Sequence, residues 1–274
     1  MTTTHHIETL KRDGFFLIPG VLSSGEIDRL RDSALAVLRQ DESDTMRPSL
    51  FLADPVLTGT LFSGKIRALL TTIYGDAGGI TLYPNFTVRN NLYINWHTDD
   101  FFLPAPLEAT TDAPGLYMFN IYLQDNSRER GGGLDVQRGS HRLSRAERDD
   151  LIARDLASDD FFVPSRAGDL VVFDYRVVHR GTVPAGEGRP DRLALQWSMS
   201  VGDAPAPVFL SYLRARATRK IHISDFTKHR AQRFFNDMPA IDTPDLVRRA
   251  DPSFFDGRVD FASFRRYLTE DVAP

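Results

Sequence analysis

The chain has 274 residues, 42% of them hydrophobic and 26% charged, with a formal net charge of -4. That balance is ordinary for a globular protein and gives no general pull toward nucleic acid or an anionic membrane surface. There is no cysteine, so disulfides, thiolate zinc sites, iron-sulfur clusters and cysteine nucleophiles are excluded, and any metal must be held by His, Asp, Glu or backbone oxygen.

The N-terminal "MTTTHHIETLKRDG" carries no apolar stretch of signal-peptide length, and no apolar run approaches the roughly 20 residues that span a bilayer. The expected setting is the cytoplasm, without membrane or nucleic-acid partners, as a monomer or homodimer. "GFFLIPG" reads as a short strand closed by Pro19-Gly20. In "SSGEIDRLRDSALAVLRQ", Ser23 and Glu26 have capping-box spacing, and Ile27, Leu30, Ala34, Val37 and Leu38 recur at helical period, which predicts an amphipathic helix. "DPVLTGTLFSGKIRALLTTIYG" predicts a second helical region ending near Gly75.

From about residue 80 the chain changes to short runs rich in β-branched and aromatic residues, separated by Gly, Pro and Asp. Strands are predicted over 80–83, 86–97, 116–124, 134–138, 161–163, 169–179 and 191–201, with one helix near "SRAERDDLIARDL". Beyond 205 the pattern is helical through "PVFLSYLRARATRKI", "FTKHRAQRFFND", "TPDLVRRA" and "FASFRRYL"; the basic "RARATRK" reads as a solvated helix face. With no repeat or low-complexity linker, a single domain over 1–274 is expected: a helical N-terminal region over 1–78, a core of about 79–203, and a helical extension over 204–274. The fold class is mainly β with flanking helices, a sandwich or barrel.

Side chains alternate between the faces of a strand. Along 85–97 the odd positions include Arg89, Asn91, Tyr93, Asn95 and His97, and the even ones Phe86, Val88, Leu92, Ile94 and Trp96. The same division separates Asn120, Tyr122 and Gln124 from Phe119, Ile121 and Leu123, and Arg192, Ala194, Gln196 and Ser198 from Leu193, Leu195, Trp197 and Met199. Polar faces of this kind suit bulk solvent or a pocket, and parity alone does not choose.

His97 and Asp99 would project from one face if the strand continues that far. "GDLVVFDYRVVHRGT" offers His179 at the end of an apolar strand, where the chain turns out at Gly181. Two histidines and a carboxylate are the facial triad of non-heme Fe(II) oxygenases, which leaves coordination positions open. An isolated His-x-Asp is common, so spacing by itself leaves the cluster open; His141, His222 and His229 have no carboxylate two residues on.

The succession "WHTD", "GGGLDVQRGSHR", "AGDLVVFDYRVVHRGT" and "DRLALQWS" resembles the phytanoyl-CoA dioxygenase family of Fe(II)- and 2-oxoglutarate-dependent oxygenases, over roughly residues 10–200. The resemblance implies a double-stranded β-helix, a cupin-like jelly roll with the metal on its inner face. It implies Fe(II) on His97, Asp99 and His179, with Gly139-Ser140-His141 as the family's Gly-Ser-His tripeptide. It further implies 2-oxoglutarate anchored by Arg192, with Arg189 as competitor, and a hydroxyl beside the distal histidine at Thr182. Arg192 is preferred because it opens a rigid strand, while Arg189 lies in a Gly- and Pro-rich turn.

On the same reading the polar faces line the pocket, with Asn120 and Tyr122 on the cofactor side and Tyr93, Asn91, Arg89 and Asn95 on the substrate side. The implied reaction uses O2, releases succinate and CO2, and hydroxylates an unactivated C-H bond of a small molecule. Asp99 favours oxygenation over halogenation, since the halogenating relatives carry a small residue there. Desaturation, epoxidation or rearrangement with the same cofactors is one alternative. A non-catalytic jelly-roll ligand-binding protein is another.

Overall fold

The computed structural model describes residues 3–74, 79–90, 93–103, 115–185, 191–202, 205–218, 243–254 and 259–260. Helix α1 (Thr3–Asp13) leads into strand β1 (Phe15–Ile18). Helix α2 (Ser24–Gln40) starts at the predicted capping box: the Ser23 hydroxyl accepts from Glu26 N, and Ser23 N donates to Glu26 Oε2 at 2.7 Å. It buries Ile27, Leu30, Ala34 and Leu38, the predicted stripe, with Val37 partly covered. A short helix α3 (Pro48–Ala53) comes next, and the helical region predicted from Asp54 to Gly75 is divided into α4 (Pro55–Leu61) and α5 (Gly64–Tyr74). Asp54 separates α3 from α4, its Oδ1 accepting from Val56 N and Leu57 N to cap α4.

The β portion contains β2 (Ile80–Leu82), β3 (Thr87–Asn90), β4 (Leu116–Tyr122), β5 (Leu134–Val136), β6 (Phe162–Val163), β7 (Leu170–Asp174), β8 (His179–Gly181), β9 (Leu193–Val201) and β10 (Val259–Asp260). The larger sheet has the order β1-β7-β4-β9-β2-β10, with β3 also paired to β9; the smaller has the order β6-β5-β8. Pairing is antiparallel throughout apart from β10 with β2. The architecture is the expected jelly-roll type with flanking helices, as an open two-sheet structure rather than a closed barrel.

Two predicted strands need correction. The strand expected over 169–179 stops at Asp174, whose Oδ1 accepts from Arg176 N at 2.8 Å while Val177 N bonds Asp174 O. This aspartate-led turn carries the chain from the larger sheet to the smaller, so His179 begins β8 instead of ending β7. Of the strand expected over 86–97, β3 covers Thr87–Asn90, and residues 93–99 carry no ladder: they are tied in by the isolated bridge of His97 with His179 and by single bonds from Gly181 N to Ile94 O, Asp99 N to Tyr175 O and the Trp96 indole N–H to Leu156 O. Arg192 likewise sits one residue before β9.

The apolar faces pack beneath the N-terminal helices. Trp197 stacks between Phe86 and Phe119, at centroid distances of 5.9 and 5.2 Å, and Phe86 meets Phe51 of α3 and Phe62. Leu193, Leu195 and Met199 are fully buried on the same face. Burial of such side chains contributes roughly 1.5–3 kcal/mol each, which fixes the register: a one-residue slip would move all four into the cavity. Helix α6 (Arg145–Ala153) has its own capping box at Ser144 and Glu147.

Helix α7 (Ala206–Thr218) lays Tyr212 flat on Phe102 at 4.3 Å, and places Phe209 among Phe102, Tyr175 and Tyr83. Helix α8 (Thr243–Arg249) returns to the front of the chain, where Arg249 donates to Leu52 O. The predicted helices at 226–237 and 261–268 lie outside the described residues. Among the described residues, no helix is long and apolar enough to cross a membrane.

Candidate active site

His97, Asp99 and His179 converge, with one ligand atom from each lying within 4.8 Å of the others. Each histidine Nε2 stands 3.7 Å from an Asp99 carboxylate oxygen, and the rings are 4.2 Å apart between centroids. Backbone hydrogen bonds set this up. His97 and His179 exchange N–H to O=C bonds of 2.9 and 3.0 Å, and Asp99 N bonds Tyr175 O at 2.9 Å. The segment 97–99 thus lies antiparallel to 175–179, which gathers the three side chains without a continuous strand.

The imidazoles are prepared for a metal. His97 Nδ1 donates to Asn95 O at 2.7 Å and His179 Nδ1 to Val177 O at 3.0 Å, which fixes the tautomers and leaves both Nε2 lone pairs directed at the cluster. Burial, reinforced by the neighbouring His97, pushes His179 down to about 4 despite the opposing Asp99 carboxylate. His179 is therefore neutral at physiological pH, as a ligand must be. Two imidazole nitrogens and one carboxylate oxygen fit ferrous iron by donor chemistry.

The cluster opens into a solvent-connected cavity walled by β3, β4, β7 and β9 of one sheet and β5 and β8 of the other. Arg89, Asn120, Tyr122, Arg192 and Gln196 line it together with the three candidate ligands. The wall of β4 and β9 follows the predicted parity, so these polar positions face the cavity rather than bulk water.

Arg192 is 8% exposed, and its guanidinium lies 4.9 Å from the Tyr93 ring centroid and 5.9 Å from that of Tyr122. Its Nη2 donates to Gly133 O at 2.8 Å, and its backbone N to Asn90 Oδ1 at 2.9 Å. The triple glycine explains itself here. Gly131, Gly132 and Gly133 all have φ between 70 and 82°. A Cβ on Gly132 would collide with Asn126 Oδ1 and stand 3.2 Å from Arg192 Nε. Only glycine lets the backbone take this left-handed path and approach the guanidinium so closely.

Other predicted residues are placed differently. Thr182 does not line the cavity: its hydroxyl donates to Asp135 Oδ1 at 2.8 Å. Asp135 is fully buried and also accepts from Arg128 and Arg180. Asn95 is exposed, and its contribution is the carbonyl that holds His97; Ile94 faces the cavity in its place, because strand alternation has ended by then. Ser198 is buried against Tyr175 and Asn85. Asn91 and Arg189 lie outside the described residues. The Gly-Ser-His tripeptide is structural: Ser140 Oγ accepts from Val178 N, beside His179, and His141 Nε2 donates to Lys11 O with its ring against Gly14.

Sequence reasoning left Asp100 unassigned. It forms a buried ion pair with Arg148 of α6 at 2.6 Å, which secures the loop directly behind Asp99. A buried-strand aspartate in "LDV" and an arginine inside the α6 pattern were the available signals for Asp135 and Arg148.

The family model for phytanoyl-CoA dioxygenase (PhyH) matches residues 10–184. The chain belongs to the phytanoyl-CoA dioxygenase family. That family consists of Fe(II)- and 2-oxoglutarate-dependent oxygenases, and the match spans all three candidate ligands but stops short of Arg192. No curated protein matches the sequence significantly.

Among solved structures the chain is similar to the non-heme α-ketoglutarate-dependent epimerase SnoN of nogalamycin biosynthesis, with 22% identity and a TM-score of 0.55, covering 72% of this chain and 82% of that one. It is similar to the carbocyclase SnoK of the same biosynthesis, with 21% identity and a TM-score of 0.56, covering 74% and 87%. EctD from S. alaskensis, solved with 2-oxoglutarate and 5-hydroxyectoine, gives 15% identity and a TM-score of 0.54, covering 73% and 76%. At these identities the likeness is one of fold.

Proposed function

We propose that the protein holds Fe(II) on His97, Asp99 and His179 and uses 2-oxoglutarate and O2 to hydroxylate an unactivated C-H bond of a small molecule. The observation that carries this reading is the placement of the candidate triad, the buried Arg192 and a fully buried Asn120 in one cavity. When bound, iron with the oxoacid supplies the oxidising power, through decarboxylation of 2-oxoglutarate to succinate and CO2.

The chain's residues bind, orient and exclude water. His97 and His179 offer Nε2 donors whose orientation is fixed by their Nδ1 hydrogen bonds, and Asp99 offsets some of the metal's charge. The Arg192 guanidinium, set beside the rings of Tyr93 and Tyr122, receives the distal carboxylate of the oxoacid. Tyr122 is fully buried, and burial raises its phenol to about 12, so it stays a neutral O–H donor beside that carboxylate. The Asn120 amide N–H has no partner among the described residues and is available to another oxoacid oxygen. Arg89, which lines the cavity, and Tyr93, whose ring stands beside Arg192, offer the substrate polar contacts. The shared hydrophobic core, running from Leu10 to Phe254, supports a single domain.

A second reading keeps the cofactors and changes the outcome to epimerisation or ring closure. It is favoured by the likeness to SnoN and SnoK. The test is anaerobic addition of Fe(II) and 2-oxoglutarate. The wild type should develop the visible metal-to-ligand charge-transfer band, His179→Ala should lose it, and Arg192→Ala should weaken 2-oxoglutarate binding by about tenfold or more, the scale of a lost charge-assisted contact. Absence of the band in the wild type, or its persistence in His179→Ala, rules the assignment out. Product mass then separates the outcomes: a gain of one oxygen supports hydroxylation, and an unchanged mass or loss of two hydrogens supports the second reading.

A further inference from the structure

We infer that the substrate presents a hydroxyl or amine donor to an amide pair, Asn120 and Gln196, in the cavity wall. The inference rests on the proposed function and names the substrate class of that same site. Asn120 and Gln196 are direct partners across the β4–β9 ladder, and both line the cavity. Directly opposed side chains on one sheet face are close enough to act on a common ligand group.

Asn120 is 0% exposed, yet neither its Oδ1 nor its Nδ2 has a hydrogen-bond partner among the described residues, and the buried Gln196 Oε1 has none either. Buried polar groups are almost always paired, so orphans gathered at one point of a cavity mark where a ligand completes them. Turning the Asn120 amide does not remove the mismatch, and the Asn120 side chain makes no bond to Gln196 across the ladder. Both ends of Asn120 are unpaired, so one donor and one acceptor face the cavity whichever way the group is turned. The wall around them mixes apolar Met118, Ala194 and Phe173 with Arg89, Tyr122 and Arg192, none of which bonds the Asn120 side chain or Gln196 Oε1.

The cofactor cannot complete the set. 2-Oxoglutarate at neutral pH is a dianion with only acceptor oxygens. It satisfies the Asn120 N–H and leaves two buried carbonyl oxygens, Asn120 Oδ1 and Gln196 Oε1, that require N–H or O–H donors. Those donors arrive with the other ligand of the cavity. A polyol, sugar-like ring or amino alcohol supplies them, while an acyl chain would leave both oxygens stranded, and a site built to bond a hydroxyl discriminates strongly against a ligand that lacks it. Gln196 is thereby a specificity-determining residue.

The test uses the full-length protein loaded anaerobically with Fe(II) and 2-oxoglutarate. The charge-transfer band is read first: its absence in the wild type means that the proposed function has failed, whereas its presence isolates the present inference. Tm is then followed against myo-inositol, methyl α-glucoside and 2-aminocyclohexanol, their permethylated counterparts, and octanoate. At least one donor-bearing probe should raise Tm, its permethylated form should bind at least about tenfold more weakly, and Gln196→Met should reduce that ratio below about threefold with the band retained. Equal binding of parent and permethylated form, an undiminished ratio in Gln196→Met, or no stabilisation by any donor-bearing probe overturns the inference. Should Gln196→Met not fold, Gln196→Glu, which keeps acceptor oxygens, should preserve the roughly tenfold ratio, and its loss overturns the inference equally.

Discussion

Two stretches that wall the same cavity, residues 93–103 and strand β9, are built on opposite plans. β9 is a regular central strand laddered to β2, β3 and β4, its apolar face locked under the N-terminal helices and its polar face turned to the cavity. Residues 93–103 have no ladder. They are held by single hydrogen bonds to the 175–179 turn, by Asn95 O on the His97 ring, and by the Asp100–Arg148 ion pair. The difference teaches where regularity is useful. A strand delivers a side chain every second residue at fixed spacing, which suits a binding wall, whereas three metal ligands must approach to within 4.8 Å of one another from separate segments. That approach requires backbone to leave the ladder.

The comparison can be broken most forcefully at Arg148. Burial raises the Asp100 carboxyl even with the guanidinium 2.6 Å away, and removing the partner leaves an uncompensated buried acid. Arg148→Ala should cost about 3–5 kcal/mol in urea unfolding and should weaken metal binding as the Asp99 loop loosens. A double cycle with Asp100→Asn should recover some of the loss. If the stability loss is below about 1 kcal/mol, the loop is held by something else.

The contrasting change is on β9. Leu195→Ala should destabilise by about 2–4 kcal/mol, while the affinity for metal and 2-oxoglutarate stays near wild type in whatever fraction is folded. A loss of cofactor affinity larger than the loss of folded protein would show that the two faces of β9 are not separable. Gly132→Ala should follow, at about 1–3 kcal/mol for a non-glycine residue at positive φ against Asn126. Because the same Cβ crowds Arg192, a raised KM for 2-oxoglutarate is expected at nearly unchanged metal affinity, measured by titrating succinate release.

The smallest effect belongs to the α2 cap, which takes no part in the cavity wall. Hydrogen bonds from Lys65 and Ser23 outweigh the opposing desolvation and bring Glu26 from 4.5 to about 2. A carboxyl lowered on folding contributes stability above the unfolded pKa, which is lost as pH falls through the folded one. Wild type should therefore lose this increment between about pH 4.5 and 2, and Glu26→Gln should cost about 1 kcal/mol at pH 7 while removing that share of the acid dependence. A pH profile unchanged by the substitution would separate the cap from acid unfolding.

Legibility followed the same division. The capping box and the stripe of α2 were readable because their partners lie within one or two turns of the chain. The parity of β4 and β9 was readable because a strand alternates whatever it packs against. Parity failed at Asn95 and Ile94, where the alternation assumed for 86–97 had already ended. It also failed at Ser198, on the expected face but bonded to Tyr175 and Asn85. Thr182 sits near where the family often places a hydroxyl, with a different spacing from the distal histidine, and its hydroxyl went to Asp135, a residue 47 positions away. Asp174 is the instructive case, since "FDYR" carries the signal of an aspartate-led turn within a run otherwise read as continuous strand.

The sequence by itself determined the chemistry available: no thiol, a His-x-Asp, a distal histidine, arginines near the next strand, and helices and strands whose periodicities come from local backbone geometry. Only the tertiary structure decided which polar groups share a cavity, which arginines are tied up in buried pairs, and which amides are left without partners. Those are matters of long-range register and desolvation, and neither is encoded in spacing along the chain.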